Sequence, residues 1–268
     1  MESDAPHSIT RGGHVADLEP RFTYLTLAVQ STSRIFTTKG HFMTNSIRTD
    51  KTETATTAAR WSLGLVGAFL ALLALLHVAE PEFDPSWRFM SEYALGNLGW
   101  AMMLGFFALA LSCVAVVAAV QSQIRGTAGK LALGLLLLVA FALAAAGVFP
   151  QDPITAQPDE LTLHGSLHGF AAMIGLPGFA IAALLISVNL TRYQQAWMPA
   201  RGRLLWSANL TWISLVAMIV YLALTVLQAG GFGPSVMAGW FNRLVVLTQC
   251  VWLVVVAQHA LEVNKRRA

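Results

Sequence analysis

Six stretches of about 20 mostly apolar residues constrain the fold of this sequence more than any other feature. A helix rises about 1.5 Å per residue, so such a stretch crosses a hydrocarbon core about 30 Å thick. Five of the stretches lack Asp, Glu, Lys and Arg, and the sixth contains only Arg243. The pattern predicts an all-α membrane protein, a bundle of six transmembrane helices over residues 61–79, 98–120, 131–149, 164–188, 204–227 and 240–258.

Composition excludes the main alternatives to a membrane bundle. Only 12% of the residues are charged, about half the share in an ordinary soluble domain. Cys113 and Cys250 lie inside apolar runs and are expected to be small core residues, not a disulfide framework. The net charge of +3 comes from short basic clusters between the apolar runs. We therefore expect the lipid bilayer as a partner and no nucleic acid.

The loops between the spans divide sharply by charge. Positive residues of short loops are retained on the cytoplasmic side of a membrane. Lys and Arg precede the first span, join spans two and three and spans four and five, and follow the sixth span, whereas the opposite loops contain only Arg88. Those opposite loops are acidic. The sequence thus predicts that both termini are cytoplasmic and that the acidic loops are extracytoplasmic.

Polarity also divides the chain into three parts. Residues 1–58 are of mixed polarity without a long apolar run, and we expect a disordered cytoplasmic tail there. Residues 59–263 form the predicted transmembrane domain, and residues 264–268 form a short basic cytoplasmic tail. Met43 offers a second translation start, so the choice between Met1 and Met43 stays open.

Two histidines at the start of the fourth span are the strongest chemical signal. His164 and His168 are four residues apart, which places them on one face of a helix, as in a two-histidine zinc clamp. His77, at the outer end of the first span, is the candidate third imidazole. The alternative is that these histidines bond to loop backbone at the water interface and bind nothing.

Other polar residues are expected at the same extracytoplasmic end. Glu92 precedes the second span and Asp152 follows the third, so both are candidate catalytic carboxylates. Asn242 and Arg243 enter the sixth span from that side as candidate substrate or ion-pair residues. A guanidinium near hydrocarbon is unfavourable by a few kcal/mol unless it snorkels to headgroups or pairs with a carboxylate such as Glu92 or Asp152.

Several of these pieces resemble a bacterial six-helix membrane family known as the domain of unknown function DUF998. The resemblance runs over residues 61–258 and rests on Met90-Ser91-Glu92-Tyr93, the exit Val148-Phe149-Pro150 with Asp152, His168, and Asn242-Arg243. It implies the six-helix architecture and a multi-pass protein of the bacterial cytoplasmic membrane. It assigns no activity to any residue.

A second similarity is to membrane-embedded zinc hydrolases of the alkaline ceramidase type, although those differ in span number and motif order. Three functions therefore remain open. The polar residues could be structural, in a membrane protein of uncharacterised role. They could bind zinc and hydrolyse a lipid amide or ester. They could instead form the relay of a proton-coupled small-molecule carrier or sensor, with Pro177 as a hinge. Whether the chain is an enzyme, and whether it forms a homo-oligomer, is left open.

Overall fold

A computed structural model describes residues 52–266 of the protein. Within that range the chain is helical and contains no β-strand. Six helices are long and apolar enough to cross a membrane, which confirms the predicted all-α transmembrane bundle. They are α1 (Thr52–Ala79), α2 (Gly99–Val120), α3 (Gly126–Val148), α4 (Leu163–Tyr193), α5 (Arg201–Thr225) and α6 (Ala238–Lys265).

Several helices extend beyond the apolar stretches that predicted them. Helix α1 begins at Thr52, before the first apolar stretch, and α6 continues to Lys265, after the last one. Backbone hydrogen bonding continues a helix into the polar headgroup region, whereas hydropathy marks only the hydrocarbon layer. Helix α4 passes through Pro177 without interruption. The tail expected over residues 1–58, and the alternative start at Met43, lie mostly outside the described residues.

The helices pack mainly against their neighbours in sequence, and α6 returns to contact α2 and α4. Polar pairs link the helices: Ser62 and Ser112 hydroxyls lie 2.9 Å apart between α1 and α2, and Ser214 and Thr248 hydroxyls lie 2.8 Å apart between α5 and α6. Such hydrogen bonds join helices where no hydrophobic force drives them together.

Helices α2 and α6 are the most buried in the bundle. About 61% of the apolar window of each is buried, against 28% for α1 and α5. A larger share of α1 and of α5 therefore lies at the surface of the bundle. Several polar residues of α6 are accordingly buried, among them Arg243, Gln249 and His259.

Three connections meet at one end of the bundle, over residues 80–98, 149–162 and 226–237, which we call the acidic end. The Ile154 backbone N–H donates to Glu92 between the first two connections, and the Trp240 N–H donates to the Ser86 carbonyl near the third. A 3₁₀ helix, Met90–Leu95, folds the first connection over the bundle. Most of the candidate site residues lie at this end.

Candidate functional site

Arg243 is the central polar group of the acidic end. Its side chain is only 4% exposed. Nε donates to His77 Nε2 at 2.8 Å, and Nη1 donates to the carbonyls of Arg88 at 2.7 Å and Pro85 at 3.2 Å. Nη2 donates to the Tyr93 hydroxyl at 3.4 Å. The Arg243 guanidinium thus links α1 and the 80–98 connection to α6 through hydrogen bonds.

The partners of Arg243 are neutral, contrary to the ion pair considered from the sequence. Glu92 does not pair with it: of the two ion pairs within residues 52–266, one joins Arg88 to Glu92 and the other joins His259 to Glu262. Asp152 is likewise unpaired with Arg243. The buried charge is therefore stabilised by carbonyl oxygens and an imidazole.

Gly239 makes this contact possible and was missed from the sequence. A Cβ atom there would lie 2.5 Å from the Arg88 carbonyl oxygen and even closer to the Pro85 carbonyl oxygen. The 80–98 connection therefore rests directly on the α6 backbone. The only signal in the sequence is that Gly239 lies four residues before Arg243, on the same helix face.

The hydrogen bonds of His77 fix its tautomer. Nδ1 lies 2.7 Å from the Leu73 carbonyl oxygen and therefore carries the proton, whereas Nε2 accepts from Arg243. Both ring nitrogens are occupied by protein partners. In this arrangement His77 has no lone pair left for a metal ion.

Glu92 joins two of the connections. Its side chain is fully buried and accepts from Arg88 Nη1 at 2.9 Å, the Phe89 N–H at 3.0 Å and the Ile154 N–H at 2.9 Å. The neighbouring Asn242 accepts from the Met90 N–H at 3.1 Å. These contacts give both residues a positioning role in the loops.

Asp152 supports the start of α4. Its two oxygens accept from the Thr162 N–H at 2.9 Å and the Thr162 hydroxyl at 2.7 Å. The same hydroxyl accepts from the Gly165 N–H at 3.0 Å, which caps the helix. A Cβ at Gly165 would clash with the Asp152 carboxylate. Asp152 is thus occupied with a helix cap.

His164 and His168 have different environments although they share a helix face. His164 is exposed and packs edge-on to Phe149, with ring centroids 5.6 Å apart. His168 is 5% exposed, and its Nδ1 lies 2.9 Å from the Phe149 carbonyl oxygen and 3.2 Å from that of Ala146. Within residues 52–266, no three His, Cys, Asp or Glu residues are grouped so that they could hold a metal ion. The structure therefore does not bring His77, His164 and His168 together as a zinc site.

Glu80 is a buried carboxylate that the sequence analysis did not single out as a site residue. It is 1% exposed, and its Oε1 accepts from the Leu98 N–H. Its Oε2 has no hydrogen-bond partner among the described residues. A Cβ at Gly96 would overlap the carboxylate. In the sequence, the only indication of this role is that Glu80 is an acidic residue at the end of an apolar span.

A cavity of about 70 Å³ lies beneath the acidic end, between α2, α3, α4 and α6. Its polar lining residues are Ser91, His168, Asn242 and Gln249, and the remaining walls are apolar. The seven helical steps from Asn242 to Gln249 give it a depth of about 10 Å along α6. A cavity of this volume holds a few water molecules or a short organic group.

One ring nitrogen of the cavity-lining residue His168 is not used by the hydrogen bonds of the described residues. Because Nδ1 faces two carbonyl oxygens, it carries a proton, so in the neutral ring Nε2 is an acceptor. Nε2 makes no hydrogen bond with any residue in the described part of the chain. At the deep end, the Gln249 amide lies 3.5 Å from the Leu176 carbonyl oxygen. The cavity thus offers a hydrogen-bond acceptor within mostly apolar walls.

Large aromatic side chains pack below this cavity. Phe179 and Trp252 are almost fully buried and pack edge to face, with ring centroids 5.4 Å apart. The Trp252 indole donates to the Ser187 hydroxyl at 2.9 Å. These closely packed side chains lie about one turn beyond the deep end of the cavity, at Leu176 and Gln249.

The pKa values of two loop residues at the acidic end are shifted. Burial raises the pKa of the Tyr93 phenol, because desolvation disfavours its anion, and its contact with Arg243 offsets only part of that effect. Hydrogen bonds from the Ser86 side chain and backbone lower the pKa of the Asp84 carboxyl. Both pKa shifts favour the charge states that the loop hydrogen bonds require at neutral pH, a neutral Tyr93 phenol and an ionised Asp84 carboxylate.

Comparison with known proteins identifies a family without a known activity. The family model described as "Protein of unknown function (DUF998)" matches residues 65–259, well over half of the chain. No curated protein and no solved structure matches the chain. The resemblance inferred from the sequence is confirmed, and the chain belongs to the DUF998 family of multi-pass membrane proteins.

Proposed function

We propose that this protein is a membrane sensor that binds a small uncharged molecule in the cavity beside His168. The ligand is mostly apolar and carries one hydrogen-bond donor, because apolar walls surround an imidazole acceptor. The single observation that carries the proposal is the free Nε2 of His168 in a ring whose Nδ1 is held by the Ala146 and Phe149 carbonyls.

The packing below the cavity favours a sensor over a carrier. Transport requires a route to both sides of the membrane, and the buried pair Phe179 and Trp252 packs across the bundle below the cavity. Pro177, the hinge considered for a carrier, lies within an uninterrupted α4. A ligand bound near the acidic end could instead change the contacts between the connections and the helices.

The zinc hydrolase is the weaker alternative. It needs His77, His164 and His168 to converge, whereas His77 bonds through both nitrogens and His164 faces outward. Glu92 and Asp152, its candidate carboxylates, are held by loop backbone and a helix cap. The proposed function therefore uses His168 for ligand binding and the other residues to hold the acidic end together.

We place the sensor in the bacterial cytoplasmic membrane, with both termini in the cytoplasm. The family resemblance supports the membrane, and the Lys and Arg of the loops opposite the acidic end support the orientation. In this orientation the cavity lies beneath the extracytoplasmic connections, with Met90 and Ser91 in its lining. The ligand would then reach His168 from outside the cell or from the outer leaflet.

A pair of isomeric probes tests the proposed function. Full-length protein with ¹⁵N-labelled histidine, in lipid nanodiscs, is titrated with 1-propanol and separately with ethyl methyl ether, which lacks the O–H donor. We expect 1-propanol to shift the His168 Nε2 resonance and to bind about fivefold more tightly than the ether, the ratio for one hydrogen bond.

Two variants on the same helix provide the control. His168→Asn removes the imidazole acceptor and should abolish the preference for the alcohol. His164→Asn changes a histidine one turn away and outside the cavity, and should preserve it. Equal binding of the two probes to the wild-type protein, or an alcohol preference that survives His168→Asn, would contradict the proposal.

A further inference from the structure

A second, separate groove lies on the outer surface of the bundle, between α1 and α6. It has a volume of about 400 Å³. It lies on the opposite side of α6 from the cavity, because Asn242 and Gln249 line the cavity, whereas Trp240 and Leu247 line the groove. The residues that line this α1/α6 groove are Leu73, His77, Trp240, Arg243, Leu244 and Leu247.

The α1/α6 groove is lined mainly by apolar groups, with the buried Arg243 near its end at the acidic end. Trp240 and Arg243 lie within the first two turns of α6, near the acidic end. Leu244 and Leu247 continue toward the membrane centre and are 46% and 43% exposed, so a lipid chain can contact them. From Trp240 to Leu247 the groove extends about 10 Å along the helix. Its shape and polarity match a lipid chain with its headgroup at the acidic end.

Arg243 gives the groove a charge preference. Its guanidinium is buried, and no carboxylate oxygen lies within 4.0 Å of it in residues 52–266. A buried cation without a counter-charge is unfavourable, and neutral carbonyls compensate it only in part. Nη2 carries two N–H groups but has a single acceptor, the Tyr93 hydroxyl, among the described residues. One N–H therefore remains without an acceptor among the described residues.

We propose that the α1/α6 groove binds one phospholipid with an anionic headgroup. Its phosphate accepts a hydrogen bond from the free N–H of Arg243, and its acyl chain lies along Leu73, Leu244 and Leu247. Trp240 contacts the interfacial region of the lipid, as tryptophans do at membrane surfaces. The bound lipid supplies the negative charge that the protein does not place beside Arg243. This site is independent of the His168 cavity.

Native mass spectrometry of the full chain in detergent tests the lipid site. Dioleoyl phosphatidylglycerol and dioleoyl phosphatidylcholine are titrated separately, so that the chains are identical and only the headgroup charge differs. We expect the first phosphatidylglycerol molecule to bind about tenfold more tightly than phosphatidylcholine, as a charge-assisted contact requires. Excess inorganic phosphate should leave the lipid bound, because a free anion lacks the acyl chain that fills the groove.

Tryptophan substitutions locate the site without changing Arg243. Leu244→Trp fills the groove and should weaken binding of the first phosphatidylglycerol about tenfold. Leu137→Trp is the matched control, since Leu137 lies on α3 and is 43% exposed, close to the value for Leu244. It should leave binding unchanged. Equal affinity for the two lipids, displacement by phosphate alone, or equal effects of both substitutions would overturn the proposal.

Discussion

Replacing Arg243 with methionine tests how the acidic end is held together. The substitution keeps a long apolar side chain but removes every donor of the guanidinium. The Pro85 and Arg88 carbonyls and the Nε2 of His77 then lose their shared partner. A buried acceptor left without a donor is unfavourable by about 1–3 kcal/mol.

The summed free-energy cost of three such acceptors exceeds the loss of stability that we expect, because water at the membrane interface can reach some of them. We therefore expect Arg243→Met to lower the free energy of unfolding by about 3–5 kcal/mol, the range for a buried charged group that loses its contacts. Arg243→Lys should be intermediate, because an ammonium keeps the charge but cannot span partners on both α1 and the 80–98 connection.

Reversible unfolding in mixed micelles with increasing dodecyl sulfate, followed by tryptophan fluorescence, measures these differences. Arg203→Met is the control, because Arg203 is exposed at the start of α5 and away from the acidic end. Its effect should stay within about 0.5 kcal/mol. A decrease in the free energy of unfolding below about 1 kcal/mol for Arg243→Met, or wild-type stability for Arg243→Lys, would refute the conclusion that Arg243 holds the acidic end together.

Four further substitutions, one of them a control, test other contacts of the acidic end. Glu92→Gln should lower the free energy of unfolding by about 2–3 kcal/mol in the same assay, because it removes the negative charge from the carboxylate that accepts hydrogen bonds from three N–H groups. An unchanged free energy of unfolding would contradict that role. Gly239→Ala should lower the free energy of unfolding, because the new Cβ would contact the Arg88 carbonyl. Its control, Gly169→Ala, has no described atom within 4 Å of the new Cβ and should raise the free energy of unfolding by up to about 1 kcal/mol. A change in the same direction for both variants would be inconsistent with the packing. Tyr93 has a raised pKa in the folded protein, so its stabilising contribution is full below the ordinary phenol pKa and declines as pH rises through the folded pKa. In an ultraviolet titration, Tyr93→Phe should remove a tyrosine that ionises above the ordinary phenol pKa, and an unchanged titration curve would count against this.

The six spans were predictable because hydropathy acts over whole helices. Each apolar stretch must satisfy its backbone hydrogen bonds within the membrane, which leaves a helix as the structure for an isolated span of this length. The helix ends were less predictable. Thr52 and Lys265 lie beyond the apolar stretches, where hydropathy no longer distinguishes a helix from a loop.

The candidate site was predictable in position but not in its contacts. Most of the polar residues do lie at one end, as the alternation of the spans requires. Their partners are mainly backbone carbonyls and N–H groups, such as the Arg88 carbonyl beneath Arg243, and these carry no signal in the sequence. The spacing of His164 and His168 placed them on one helix face, but it could not reveal that His164 is exposed while His168 is buried.

Glu80 and Gly239 show why part of the site was missed. Both matter because another segment of the chain approaches them closely, and that approach depends on how the 80–98 connection folds onto α6. A glycine or an acidic residue at a helix end is common enough that the sequence gives no reason to select these two. Their roles arise from tertiary packing.

The protonation of the ring nitrogens tests the central claim most directly. Nitrogen-15 spectra of histidine-labelled protein in nanodiscs, assigned with His77→Gln and His168→Asn, report which nitrogen of each ring carries the proton. The account predicts the Nδ1–H tautomer for both His77 and His168 at neutral pH, with 1-propanol shifting only the Nε2 signal of His168. A proton on Nε2 of His168, or a joint shift of His77, His164 and His168 on addition of Zn²⁺, would contradict it.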